Sequence, residues 1–128
     1  MEIEPIVQKL VSRLQELYTN KTQPQPVITE ESSVWRTLRG LLPTPSLEEI
    51  VYIVETVNHP GSRHCQELVR EAIEMTGSIT DMRVLVILER ALPDKWGEER
   101  VKLLERATEI AKDKEELVQY LRDTKYLD

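Results

Sequence analysis

The stretch Met82-Arg-Val-Leu-Val-Ile-Leu-Glu-Arg-Ala-Leu92 decides how the chain is read, because the apolar residues Val84 to Leu88 follow one another without a charge. A surface helix places a polar residue every third or fourth position, and a half-buried strand alternates. This run does neither, so it reads as a central helix covered on most sides by other segments. Its flanks agree: Ser78-Ile-Thr-Asp81 has capping-box spacing, and Pro93-Asp94 stops the pattern.

Outward from that centre, every segment reads as helix. Toward the C-terminus, Trp96, Leu103, Leu104, Ala107 and Ile110 mark a helix from about Lys95 to Lys112. A last one, Lys114 to about Asp123, carries Leu117, Val118, Tyr120 and Leu121, with Tyr126 and Leu127 folding back. Toward the N-terminus, Ser62 caps a helix whose buried face holds Cys65, Leu68, Val69, Ala72 and Ile73, and Gly77 closes it. Ser46-Leu-Glu-Glu49 is a capping box before Ile50, Val51, Ile53, Val54 and Val57. Local β-propensity there favours a strand, but the cap and the length to Asn58 favour helix.

The first third has a different texture. Ile3, Ile6, Val7, Leu10, Val11, Leu14, Leu17 and Tyr18 recur at helical spacing, with Pro5 tolerated in the first turn. Pro24 and Pro26 then favour extended backbone over Asn20 to Glu31. Ser32 or Ser33 caps a short helix with Val34, Trp35, Leu38, Leu41 and Leu42, stopped by Pro43 and Pro45. The expectation is an all-α protein, a compact bundle of about six or seven short helices. Residues 1–19 form an amphipathic helix, 20–31 a Pro-containing linker and 32–128 the bundle.

A weak internal repeat runs through the bundle. Ser46-Leu-Glu-Glu-Ile50 resembles Ser78-Ile-Thr-Asp-Met82, and Leu68 to Met75 resembles Leu103 to Ile110, as in two similar helical hairpins. Capped amphipathic helices share such spacing for physical reasons alone, so the likeness is compatible with a plain bundle.

Composition narrows the function classes. Apolar residues make up 40% of the chain and charged ones 31%, which suits a folded helical protein. With no Phe, the core is built from Leu, Val and Ile. The net charge of −6 argues against a nucleic-acid backbone or an anionic membrane as the main partner. Residues 1–45 balance Lys9, Arg13, Lys21, Arg36 and Arg39 against Glu2, Glu4, Glu16, Glu30 and Glu31, so the whole excess lies in residues 46–128. Cys65 is the single cysteine, the opening Met-Glu-Ile-Glu-Pro has no secretory pattern, and no apolar run reaches membrane length. A cytoplasmic protein is expected.

No chemical constellation stands out. His59, His64, Cys65 and Glu67 are the only clustered metal-ligand types, and their spacing matches no zinc site, so no metal and no cofactor is expected. Ser62 and Ser78 are explained by capping. The expected function is a non-catalytic protein–protein interaction or regulatory module, with a partner or a second copy docking on the N-terminal helix. Ile6, Leu10, Leu14 and Leu17 on that helix, with Trp35, Arg36 and Arg39 after the linker, are the candidate contacts. Two alternatives belong to other classes: a nucleoprotein subunit using Arg36 and Arg39, and a small-ligand or metal-binding protein or enzyme using His59, His64 and Cys65.

Overall fold

Caps written into the sequence set several helix boundaries. Ser46 accepts from the Glu49 amide at 3.2 Å, while Glu49 Oε1 accepts from the Ser46 amide at 2.8 Å; helix α3, Leu47–Val57, starts on this reciprocal cap. It ends at Asn58, whose left-handed backbone (φ 48°, ψ 51°) suits an Asn side chain. The Ser62 hydroxyl accepts from the Cys65 amide and opens α4, Arg63–Glu74. Asp113 Oδ1 accepts from the Glu116 amide at 2.9 Å and opens α7, Lys114–Asp123. The remaining helices are α1, Pro5–Thr19; α2, Gln25–Leu41; α5, Met82–Arg90; and α6, Gly97–Ile110, with a 3-10 turn at Thr76–Ser78.

These elements come from a computed structural model that describes all residues except 1–2, 20–24, 60, 125 and 127–128, and the side chains of 25–29. The described residues are all-helical, with no strand among them. Both β-branched runs, Ile50 to Val57 and Val84 to Leu88, are therefore helix: each is bounded by a cap, and each buries a helical stripe instead of alternate residues. No helix among the described residues is long and apolar enough to cross a membrane.

Four local expectations need correction. The backbone expected to be extended over 20–31 is helical from Gln25 on; the first turn tolerates Pro26 because its amide would lack an intrahelical acceptor anyway. Residues 20–24 and Leu127 lie outside the described residues. Ser32 and Ser33 consequently sit inside α2 instead of capping it. Asp81, not Ser78, caps α5, accepting from the Arg83 amide at 2.9 Å. Gly77 does not close α4 in a left-handed turn but belongs to the 3-10 turn that follows.

The chain divides into two compact units, Met1–His59 and Pro60–Asp128. This boundary falls between α3 and α4, inside the first of the two hairpins suggested by the repeat. In unit 1, α1 packs against both α2 and α3. Val7, Val11, Leu14 and Leu17 supply its buried stripe, with Trp35 and Leu38 from α2 and Ile50 and Ile53 from α3 also in the core. Polar contacts fix the register of α1 on α2. Arg13 pairs with Glu30 through Nε and, at 2.7 Å, through Nη2. Trp35 Nε1 donates to the Tyr18 hydroxyl at 2.9 Å, and that hydroxyl donates to Glu31 at 2.6 Å. The Arg13 guanidinium holds the Glu30 carboxyl below its ordinary range.

In unit 2, α5 packs on α4, α6 and α7, and α6 also touches α4 and α7. Leu85, Leu88 and Leu92 give α5 and its following turn a fully buried edge. Three arginines also donate to backbone carbonyls at helix ends and in turns. Arg90 Nε donates to the Asp123 carbonyl at 2.8 Å, Arg106 Nε to that of Ile79 at 2.8 Å, and Arg100 Nη1 to that of Asp94 at 3.2 Å.

Candidate functional site

The central apolar run, Val84 to Leu88, has no fully exposed side chain, but its cover is uneven. Leu85 and Leu88 are fully buried, whereas Met82, Val84, Val86 and Ile87 are partly buried. The expectation of a helix covered on most sides holds: α4, α6 and α7 pack on α5, only Arg83 and Arg90 of its 9 residues are exposed, and Met82 and Val86 lie at the edge of the cover. Met82 and Val86, one turn apart, line a groove between α5 and α7 of about 280 Å³. Tyr120 lines it from α7, with Arg83 on the α5 side and Glu116, Gln119 and Asp123 on the α7 side.

Beneath the groove lies a charged pair that sequence reasoning missed. Glu89 is 0% exposed, and its Oε1 accepts from Arg100 Nε at 2.8 Å, the arginine side chain being 12% exposed. Glu89 follows Leu85 by four residues and precedes Leu92 by three, so it falls on the buried face of α5; that spacing was the available signal. A glutamate ordinarily reads as solvated, which hid it.

Tyr120 connects the pair to the groove. Burial first, then the nearby Glu89 carboxylate and Tyr126, push its hydroxyl above the ordinary tyrosine range. Burial raises Tyr126 as well. An unfolded tyrosine loses its proton near pH ~10. The folded state keeps that proton to higher pH, so the unfolded state binds fewer protons above this point and stability falls as pH rises. The urea midpoint should therefore drop between about pH 8 and pH 11, and Tyr120→Phe should lose less over the same interval than the parent. Equal losses in the two proteins would remove Tyr120 as the cause.

Two other clefts are larger, each about 460 Å³, and an arginine in each is engaged locally. Between α4 and α6, Arg106 pairs with Glu109 at 2.8 Å while holding the Ile79 carbonyl. On the polar face of α1, Arg13 pairs with Glu16 at 3.1 Å as well as with Glu30.

The residues singled out from sequence are scattered in role. Leu14, Leu17 and Trp35 are buried in the core of unit 1, so their apolar surface is already used within the chain. Leu10 is half-buried, and Ile6 stands 53% exposed. Arg36 is exposed and Arg39 half-buried. His59 stacks on Tyr18 with ring centroids 4.1 Å apart, His64 is half-buried on α4, and Cys65 is a buried free thiol on the apolar stripe of that helix. Among the described residues, no group of three or more His, Cys, Asp or Glu side chains is placed to hold a metal. Trp96 lies under the Arg70 guanidinium, 4.2 Å from ring centroid to Cζ, a cation–π contact within unit 2. No protein-family model, curated protein or solved structure matches the chain.

Proposed function

We propose that the chain is a non-catalytic protein-interaction module of the cytoplasm, and that the groove between α5 and α7 receives an amphipathic helix from a partner protein. The observation that carries this reading is the partly buried apolar pair Met82 and Val86, which lines an open groove with Tyr120 and is edged by charged side chains. An apolar floor with a polar rim is the arrangement that helix-in-groove recognition uses. The docking site thus moves from the N-terminal helix, whose stripe fills unit 1, to the second unit.

The groove is short. α5 has 9 residues and α7 has 10, so two to three turns of a partner fit along it. Such a small interface belongs to the weak, exchangeable class, with dissociation constants of about 1–100 µM. The probe is a fluorescein-labelled peptide of about 14 residues with a leucine stripe, lysines on one flank and glutamates on the other. Fluorescence anisotropy should show saturable binding to the full chain. Val86→Glu should weaken it by roughly tenfold or more at an unchanged melting temperature. Absence of binding, or binding indifferent to Val86→Glu, rejects the groove as the docking surface.

A further inference from the structure

The two walls of the groove carry opposite charge. Arg83 edges it from α5, and Glu116 and Asp123 edge it from α7, two turns apart. Gln119 Nε2 donates to Asp123 Oδ1 at 2.9 Å, which holds that carboxylate along the α7 wall. Arg90 Nε holds the Asp123 carbonyl at 2.8 Å, so the last turns of α5 and α7 meet at the same end. The groove therefore has one basic side, one acidic side and two distinguishable ends.

Resting on the docking function proposed above, we infer that these charges set the direction in which the partner helix lies. The partner that fits is an amphipathic helix with an apolar stripe over Met82, Val86 and Tyr120. Its basic side chains run along the edge facing α7, and its acidic side chains along the edge facing α5. Turning such a helix end for end exchanges its two flanks. Lysines then meet Arg83 and glutamates meet Glu116 and Asp123, and like-charge juxtaposition at an interface rim opposes that pose. Apolar contacts are nearly indifferent to the reversal, because a leucine stripe reads alike from either end. Affinity thus comes from the floor, and direction comes from the rim.

The test uses the full chain and two peptides of identical composition, with the same leucine stripe but the lysine and glutamate flanks interchanged. Each carries a nitroxide at its N-terminus, which broadens nearby amide resonances. Both peptides should bind with similar affinity and in opposite directions. One should erase resonances at the Met82 and Glu116 end, and the other at the Arg90 and Asp123 end. In the charge-exchanged protein Arg83→Glu/Glu116→Lys/Asp123→Lys, the two patterns should trade places. Broadening of the same end by both peptides, or of both ends by each, overturns the inference while leaving the docking function intact. Failure of either peptide to bind at all rejects the docking function, and the inference with it.

Discussion

Replacing Arg100 with methionine should cost the protein about 3–5 kcal/mol, the loss expected when one partner of a buried ion pair is removed. Glu89 is fully buried and takes its charge-assisted hydrogen bond from Arg100 Nε at 2.8 Å. Methionine fills much of the arginine stem's volume, so the penalty comes mainly from removing the counter-charge in a site with little water. The same guanidinium also holds the carbonyls of Asp94 and Pro93, which close the turn between α5 and α6. Against a typical total of about 5–15 kcal/mol, this loss leaves unit 2 marginal. The double replacement Glu89→Leu/Arg100→Met should recover most of it, because an apolar pair of similar volume requires no desolvated charge. Urea denaturation of parent, single and double variants reads both effects. A single variant within about 1 kcal/mol of the parent would show the pair to be far better hydrated than its burial implies.

Trp35→Ala should destabilise unit 1 by a similar amount, about 3–5 kcal/mol. Trp35 is the largest fully buried side chain in the chain, and its indole N–H is satisfied by Tyr18. Alanine leaves a cavity beside the α1 stripe and removes the donor in the relay that runs on to Glu31. Trp35→Phe separates the two contributions: it keeps most of the volume, and the lost hydrogen bond should account for about 1 kcal/mol. Fluorescence also separates the units, since Trp35 is buried in unit 1 and Trp96 is half-exposed in unit 2. If Trp35→Ala lowers stability by less than about 1 kcal/mol, the α1–α2 register described here is wrong.

What was legible in the sequence follows from the range of the forces involved. The caps at Ser46 and Ser62 act within one helical turn, so the boundaries they set are local properties of a few residues; the equally local cap at Asp113 is not among those read from the sequence. The start of α2 is not local. Pro24 and Pro26 read as extended chain, but Glu30 and Glu31 are held by Arg13 and Tyr18, 17 and 13 residues away, and those contacts favour helix. The role of α1 was hidden for a related reason. Its stripe signals that a partner surface exists, and periodicity cannot say whether that surface belongs to another protein or to the same chain; here α2 and α3 provide it.

The candidate site was less legible than the fold. Val84 to Leu88 promise cover on most sides, which α5 has, but where that cover stops depends on how many neighbours surround the helix. Three helices cover the Leu85 and Leu88 face and leave Met82 and Val86 at an edge. The partly buried Met82 and Val86 at that edge are positions the sequence marks as core. Glu89 shows the converse, a charged residue inside, legible only from its spacing relative to Leu85 and Leu92.

The docking claim is tested most directly by the backbone amide correlation spectrum of the full chain, titrated with the leucine-striped peptide. Saturable shift changes at Met82, Val86, Gln119 and Tyr120 are predicted, with the amides of α1 and α2 unmoved. Changes centred on Ile6, Leu10 or Arg36, or no change at saturating peptide, would contradict it.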